Sequence, residues 1–320
     1  MSTARTVFFG SGSFAVPILD ALVDAPEVSL VGVVTSPDRP AGRRGEPTPA
    51  PVTRRAREIG LTVVQPPRVR SAEALETIRE LRPELGLLAD YGQLIPPELL
   101  DLPARGILNV HPSLLPRHRG ATPIPATILA GDPEAGVTLI RMDAGLDSGP
   151  IVASEAWRLD GTETTPELEA RAARVGARLV RRSLAGWLDG TLVGRPQPPE
   201  GVTLTRPLVR EDGRLDPARP AVELERQVRA YQPWPGSFVE TGLGRLIVHR
   251  ATVVGGPGAW PGPGGGSGEP GAIVAHGEGL ALVTGRDLLR LDEVQLAGRR
   301  VTGAAELRRG RPGLAGERVR

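Results

Sequence analysis

The sequence predicts an α/β fold in two domains: a mostly parallel sheet covered by helices on both faces, then a small all-β domain. Three observations predict it. From Thr6 to Leu188, short apolar runs alternate with amphipathic stretches of helical period, the pattern of strand–helix–strand units. The alternation stops near Val193, and Gly194–Gly201 (GRPQPPEG) has the Gly and Pro content of a linker. Beyond it, one helical stretch precedes several short strand-like runs separated by turns, which suits a small barrel. The 320 residues are enough for two cores. The expected division is residues 1–193 for a Rossmann-like domain, 194–205 for the linker and 206–320 for an OB-like β-barrel domain.

Taken in order, Thr6–Phe9 reads as a strand, and Gly10-Ser11-Gly12-Ser13-Phe14-Ala15 leads into a helix that runs to Ala25. Pro17 falls in its first turn, where a missing N–H costs nothing. The turn spells G-x-G-x-x-A, the dinucleotide fingerprint. A bound ribose would need an acidic residue at the end of the second strand, Ser29–Thr35. That strand ends in Thr35-Ser36-Pro37, and Asp38 comes too late, so a dinucleotide is not expected. Pro37–Gly45 reads as a long, exposed, basic loop. A helix over Val52–Ile59 stops at Gly60, a strand covers Thr62–Gln65, and Ser71 caps a helix over Ala72–Leu81. Leu85–Ala89 and Ile107–His111 are buried strands, the second ended by Pro112. A short helix around Pro125–Ala130 precedes strands at Val137–Met142 and Ile151–Leu159. Thr165, with Pro166 at the first helical position and Glu167 in the first turn, opens a helix to Leu188.

In the second domain a helix over Ala221–Tyr231 buries Leu224, Val228 and Tyr231. Strands follow at Arg245–Val254, Ala272–Ala275, Leu280–Thr284 and Leu288–Val294. Gly255–Gly271 is too rich in Gly and Pro to pack, and Trp234 reads as a core aromatic.

Composition excludes several functions. With no cysteine, disulfides and thiolate metal ligands are ruled out, and the four His (111, 118, 249, 276) are too scattered to suggest a metal site. No signal-peptide core or membrane-spanning run is visible, so a cytoplasmic protein without a membrane partner is expected. All 39 basic residues are arginine. From Arg206 onward 17 Arg face 13 acids, whereas 22 face 24 before it, so the positive surplus lies in the second domain. That distribution is compatible with a nucleic-acid partner.

The chemistry concentrates in Gly106–Gly149. Asn109 and His111 stand two apart in a strand, so they share a face and end at its carboxyl edge, where open α/β sheets bind ligands. An amide donor beside an imidazole suits reaction at a carbonyl, since the first can bond an oxyanion and the second can move a proton. Asp147, in the Gly-flanked loop Gly145-Leu146-Asp147-Ser148-Gly149, supplies a carboxylate to orient or charge the imidazole. By spacing alone, an Asn-x-His pair is more often structural.

The surrounding words decide. Asn109-Val110-His111-Pro112-Ser113-Leu114-Leu115-Pro116-Arg117-His118-Arg119-Gly120, followed by Met142 to Gly149 (MDAGLDSG), resembles the folate-dependent formyltransferases. The resemblance implies Asn109, His111 and Asp147 as a catalytic trio and 10-formyltetrahydrofolate as formyl donor, without a metal. It implies Ser113, Leu114, Leu115 and Pro116, with Tyr91 and Gly92 of Asp90–Pro96, as the folate wall. Pro37–Arg43 (PDRPAGR) looks like the insertion loop of the branch of the family that acts on charged initiator methionyl-tRNA. It implies Arg39, Arg43 and Arg44 as tRNA contacts. Ala230–Gly236 (AYQPWPG) and Val294–Arg300 (VQLAGRR) look like words of that branch's C-terminal domain. The implied reaction is formyl transfer to the amino group of methionyl-tRNA, by a monomer. The alternatives are a formyltransferase acting on an amino-sugar nucleotide, a 10-formyltetrahydrofolate hydrolase, or a non-catalytic folate- or RNA-binding module. Three departures stand out: Arg44-Gly45-Glu46 where the branch often has lysines, Asp90 where it has Ala, and Pro125 where it commonly has Gln.

Overall fold

The computed structural model describes residues 3–41, 46–255 and 268–319. Arg43 and Arg44, and residues 256–267 of the Gly/Pro-rich run Gly255–Gly271, lie outside the described residues. Contacts divide the chain into two units: Met1–Pro123, Glu134–Arg158 and Leu168–Thr205 form the first, and Ile124–Pro133, Leu159–Glu167 and Arg206–Arg320 the second. Among the described residues no helix is long and apolar enough to cross a membrane.

The first unit is built on seven strands: β1 (Ala4–Gly10), β2 (Val28–Val34), β3 (Val63–Val64), β4 (Leu85–Ala89), β5 (Ile107–His111), β6 (Glu134–Arg141) and β7 (Ile151–Arg158). They lie in the order β7-β6-β5-β4-β1-β2-β3. β5, β4, β1, β2 and β3 are mutually parallel, while β6 and β7 close the edge antiparallel. This is the mostly parallel, Rossmann-like sheet that the alternation predicts. The strand order reverses between β1 and β4, which opens a crevice at their carboxyl ends.

The period of two sorts the core. Phe8, Leu87, Leu108 and Val110 point into one apolar layer with Ile18 and Leu19 of α1 (Val16–Val23) and Leu179 and Leu184 of the long helix Thr165–Asp189. Val7, Phe9 and Ile107 point to the other, against Ile78, Leu99 and Tyr91. Asn109 and His111 share the parity of Ile107 and so sit on that second face. The central strands β4 and β5 are buried along their whole length, and the hydrophobic effect at about 25 cal/mol per Å² makes this layer pair the main source of stability.

The second unit carries β8 (Ser237–Thr241), β9 (Gly244–Val254), β10 (Ile273–His276), β11 (Gly279–Val283) and β12 (Leu288–Leu296). The order is β8-β9-β12-β11-β10, every neighbouring pair antiparallel. Leu246, Val248, Leu280, Leu289 and Leu291 meet Leu224 and Val228 of the helix Ala221–Ala230 in one core. The architecture is an antiparallel sheet with a helix packed on it; among the described residues no pairing joins β8 to β10 into a closed barrel. Trp234 is not a core residue. Its side chain is 53% exposed, because Pro233 and Pro235 hold it in a turn outside the sheet. Leu159–Glu167 is tied down by Thr165 Oγ1, which donates to the Ala230 carbonyl at 2.6 Å, and by Arg229, which donates to the Glu163 carbonyl at 2.8 Å.

Candidate active site

Strand geometry places the first two polar groups. Asn109 and His111 are buried, 6% and 4% exposed, at the carboxyl end of β5. Asp147 arrives from a loop after β6 in left-handed backbone, φ 47°, which Asp tolerates better than most residues. Its carboxylate gathers the others: Asn109 Nδ2 donates to Oδ1 at 3.1 Å, the Gly120 N–H donates to Oδ2 at 2.8 Å, and His111 Nδ1 lies 3.5 Å from Oδ2. On its far side, His111 Nε2 is 3.0 Å from the carbonyl oxygen of His118. A carbonyl only accepts, so Nε2 carries the proton. Burial pushes the His111 pKa below its ordinary 6.5, opposed by the nearby Asp147 carboxylate. The imidazole is therefore neutral near pH 7, with its Nδ1 lone pair turned toward Asp147. A proton taken up there makes an imidazolium held between a carboxylate and a carbonyl. The constellation can thus move a proton beside an amide donor, the requirement for reaction at a carbonyl.

The Ser113–Pro116 turn is braced rather than open throughout. Ser113 Oγ donates to the Arg117 carbonyl at 2.7 Å, and Thr138 Oγ1 bridges the Ser113 carbonyl at 2.7 Å and the Leu115 N–H at 3.2 Å. Ser113 and Leu115 are buried, which leaves Leu114 and Pro116 with more of their surface free. Gly92 is exposed at φ 78°, a backbone that favours glycine. The Tyr91 ring is elsewhere: it is 2% exposed, edge-on to Phe9 at 5.8 Å, in the second apolar layer. Only its backbone faces the Gly turn, where the carbonyl accepts from Ser11 Oγ at 3.4 Å. Arg39 is exposed in a three-residue strand paired antiparallel with Glu46–Thr48, so the loop read from sequence has a hairpin base.

Asp90 turns toward the Gly turn. It too is left-handed, φ 48°, and a Cβ on Gly12 would lie 1.8 Å from its Oδ2, so a side chain at position 12 would have to push the carboxylate aside. The side chain keeps an exposed edge, yet desolvation, and then the negative charge of Glu169, raise its pKa above the ordinary 3.8, against the lowering effect of the Gly12 N–H. A raised carboxyl contributes stability fully present below its unfolded pKa and lost as pH rises through the folded one. Asp90→Asn keeps the left-handed backbone and removes the charge. It is expected to raise Tm at pH 7 by about 1–3 °C, with the gain fading toward pH 4. Thermal melts at both pH values check this, and a lower Tm at both would show that Asp90 stabilises as a carboxylate.

A family profile described as formyl transferase matches residues 4–184, and one described as formyl transferase, C-terminal domain, matches residues 207–312. The methionyl-tRNA formyltransferase of Myxococcus xanthus is 41% identical over 97% of this chain and 96% of its own. That of Halorhodospira halophila is 44% identical over 99% of each, and that of Thermus thermophilus 43% over 96% of each. Among solved structures, the N-formyltransferase of Helicobacter canadensis, in complex with folinic acid and dTDP-3-aminofucose, shares the fold. It aligns with a TM-score of 0.67 at 15% identity, over 90% of this chain and 99% of that one. HypX of Aquifex aeolicus, in complex with tetrahydrofolic acid, aligns at 0.60 and 16% identity, over 96% of this chain and 47% of that one.

Proposed function

The chain belongs to the formyl transferase family, with the methionyl-tRNA formyltransferases, and on that premise we propose that it transfers the formyl group of 10-formyltetrahydrofolate to the free amino group of methionyl-tRNA. The product is N-formylmethionyl-tRNA for translation initiation. The single observation that carries the chemistry is Asp147 joined to Asn109 and set beside His111 at the carboxyl end of β5. The neutral amine attacks the formyl carbon. Asn109 donates to the oxygen as it becomes an oxyanion, and His111 can donate to it only from Nδ1, once it has taken up the amine's proton there. The bond from carbon to N10 breaks, and the proton lost by the amine ends on N10 of tetrahydrofolate. His111 and Asp147 carry that proton, the carboxylate holding the charge while the imidazole has it.

Folate lies along Leu114, Pro116 and Gly92, with Ser113 and Leu115 bracing the wall and Tyr91 contributing backbone. The second unit acts as an OB-like tRNA-binding domain; its surplus of arginine and the C-terminal profile match support this. Arg39, Arg43 and Arg44 meet the acceptor end of the tRNA. The enzyme works as a cytoplasmic monomer. An amino-sugar nucleotide as acceptor is disfavoured by identity above 40% to relatives named for methionyl-tRNA.

The test is labelled formyl transfer from 10-formyltetrahydrofolate to charged initiator tRNA, beside a sugar-nucleotide amine. Transfer to the sugar amine and not to tRNA would overturn the acceptor assignment. Within that assay, Arg43→Ala is expected to weaken tRNA binding and lower the slope of log affinity against log salt by about one. Arg43→Lys should recover only part, because a point charge replaces phosphate attraction but not bidentate bonding. Equal tRNA affinities and slopes in titrations at two salt concentrations would remove Arg43 from the interface.

A further inference from the structure

We infer that Gln197 is a positioning residue of this site, and that its side-chain amide holds the loop that presents Asp147. Gln197 lies in the Pro-rich segment after the long helix, where its neighbours Pro196 and Pro198 are exposed and Gln197 is turned in. Its Nε2 donates to the backbone carbonyl of Asp147 at 2.7 Å and to that of Gly149 at 2.9 Å. Its Oε1 accepts from Arg119 Nε at 3.1 Å and from Arg119 Nη2 at 2.7 Å. Both amide hydrogens and both oxygen lone pairs are therefore in use.

These bonds close a ring. The Asp147 carboxylate accepts the Gly120 N–H at 2.8 Å; Gly120 follows Arg119 in the chain; Arg119 grips Gln197; and Gln197 grips the backbone of Asp147. Asp147 is thus held at both ends, by its side chain and by its own carbonyl, in the left-handed backbone that an Asp seldom adopts unaided. The same segment fixes the other partner of the imidazole. Thr203 Oγ1 accepts the His118 N–H at 2.8 Å, and the Thr203 carbonyl accepts the Arg119 N–H at 2.9 Å, next to the His118 carbonyl that faces His111 Nε2. Its hydrogen bonds go to Arg119 and to the backbone of Asp147 and Gly149, not to the trio's side chains, so it acts through the loop.

The assignment rests on Asp147 working in the reaction. Its test is a double-mutant cycle on the full chain. Gln197→Met keeps length and shape without hydrogen bonds; Gln197→Glu keeps the acceptor for Arg119 but sets oxygen against two carbonyls. Both are expected to lower kcat about ten- to hundredfold, as a displaced catalytic group does, with KM for the folate donor and for tRNA little changed. In an Asp147→Asn background, followed by single-turnover transfer, Gln197→Met should cost nothing further. If Gln197→Met lowers the rate by the same factor in both backgrounds, or leaves wild-type kcat intact, Gln197 does not position Asp147, while the catalytic role of Asp147 stands. If Asp147→Asn alone keeps near-normal turnover, that catalytic role fails and this inference fails with it.

Discussion

His111→Ala is expected to lower the rate of formyl transfer about 10²- to 10⁴-fold while the folate donor still binds. The large loss follows from where the ring sits. It lies between the Asp147 carboxylate and the His118 carbonyl, with Nδ1 facing the first at 3.5 Å and Nε2 at 3.0 Å from the second. Alanine leaves the Ser113–Pro116 wall untouched, since that turn is braced by Thr138 and not by the imidazole. The pH profile gives a second readout. Burial keeps the wild-type imidazole neutral to below pH 6.5. The acceptor amine must also be neutral, and an α-amino group titrates near about 7.7–8.0. In wild type, kcat/KM should therefore fall on the acid side with a limiting slope approaching two, one proton from the amine and one from His111. In the variant the slope should approach one. A properly folded variant with near-normal turnover, or with an unchanged acid limb, would take His111 out of proton transfer.

The pairing of Asn109 with His111 was legible from the sequence because a strand has a period of two, and five residues bounded by Pro112 are enough to fix the parity. The mostly parallel sheet was legible for a similar reason: buried strands alternate with amphipathic helices over the whole first unit. Asp147 was not readable from periodicity at all, since it sits in an irregular loop 38 positions from Asn109; the family's words brought it in. Tyr91 shows the opposite failure. Its place in a familiar word suggests a ligand contact, but past the end of β4 its ring lies in the apolar layer beside Phe9, and its backbone alone is left for that contact. Trp234 fails on hydrophobicity, which predicts burial while two flanking prolines forbid the strand that would supply it. Gln197 gave no signal. A polar residue in a Gly/Pro-rich stretch has no period and no apolar neighbours, so composition suggests a linker, whereas its four hydrogen bonds are long-range facts of the fold. The β8 strand was missed because Ser237–Thr241 is short and lies directly after a Pro-Gly turn.

Asp147→Asn should cost about 10³- to 10⁴-fold in kcat, on the scale seen when a carboxylate that orients a catalytic imidazole becomes an amide. Asparagine tolerates φ 47° as well as aspartate does, so the loop should keep its shape and Gln197 its bonds to the Asp147 and Gly149 carbonyls. The harm is electronic and directional. The carboxylate now accepts on both oxygens, from Asn109 on one and from Gly120 on the other. An amide has one acceptor and one NH₂, so whichever way it turns, its NH₂ meets an N–H donor where an acceptor stood. If the NH₂ turns toward His111, it donates to the Nδ1 lone pair and holds the imidazole neutral; if it turns away, it faces the Asn109 amide and loosens the oxyanion donor. In both orientations an imidazolium loses its counter-charge. Asp143 is the control from the same loop region. Its Oδ1 accepts from the Gly145 N–H at 3.0 Å and from Ser148 Oγ at 2.8 Å, contacts that an asparagine carbonyl reproduces. Asp143→Asn should therefore stay within about threefold of wild type, a loss below 1 kcal/mol in the barrier. Steady-state transfer to charged tRNA, with Tm measured on each protein, separates the two. An Asp147→Asn enzyme that folds normally and turns over as fast as Asp143→Asn would mean that the carboxylate only shapes its loop.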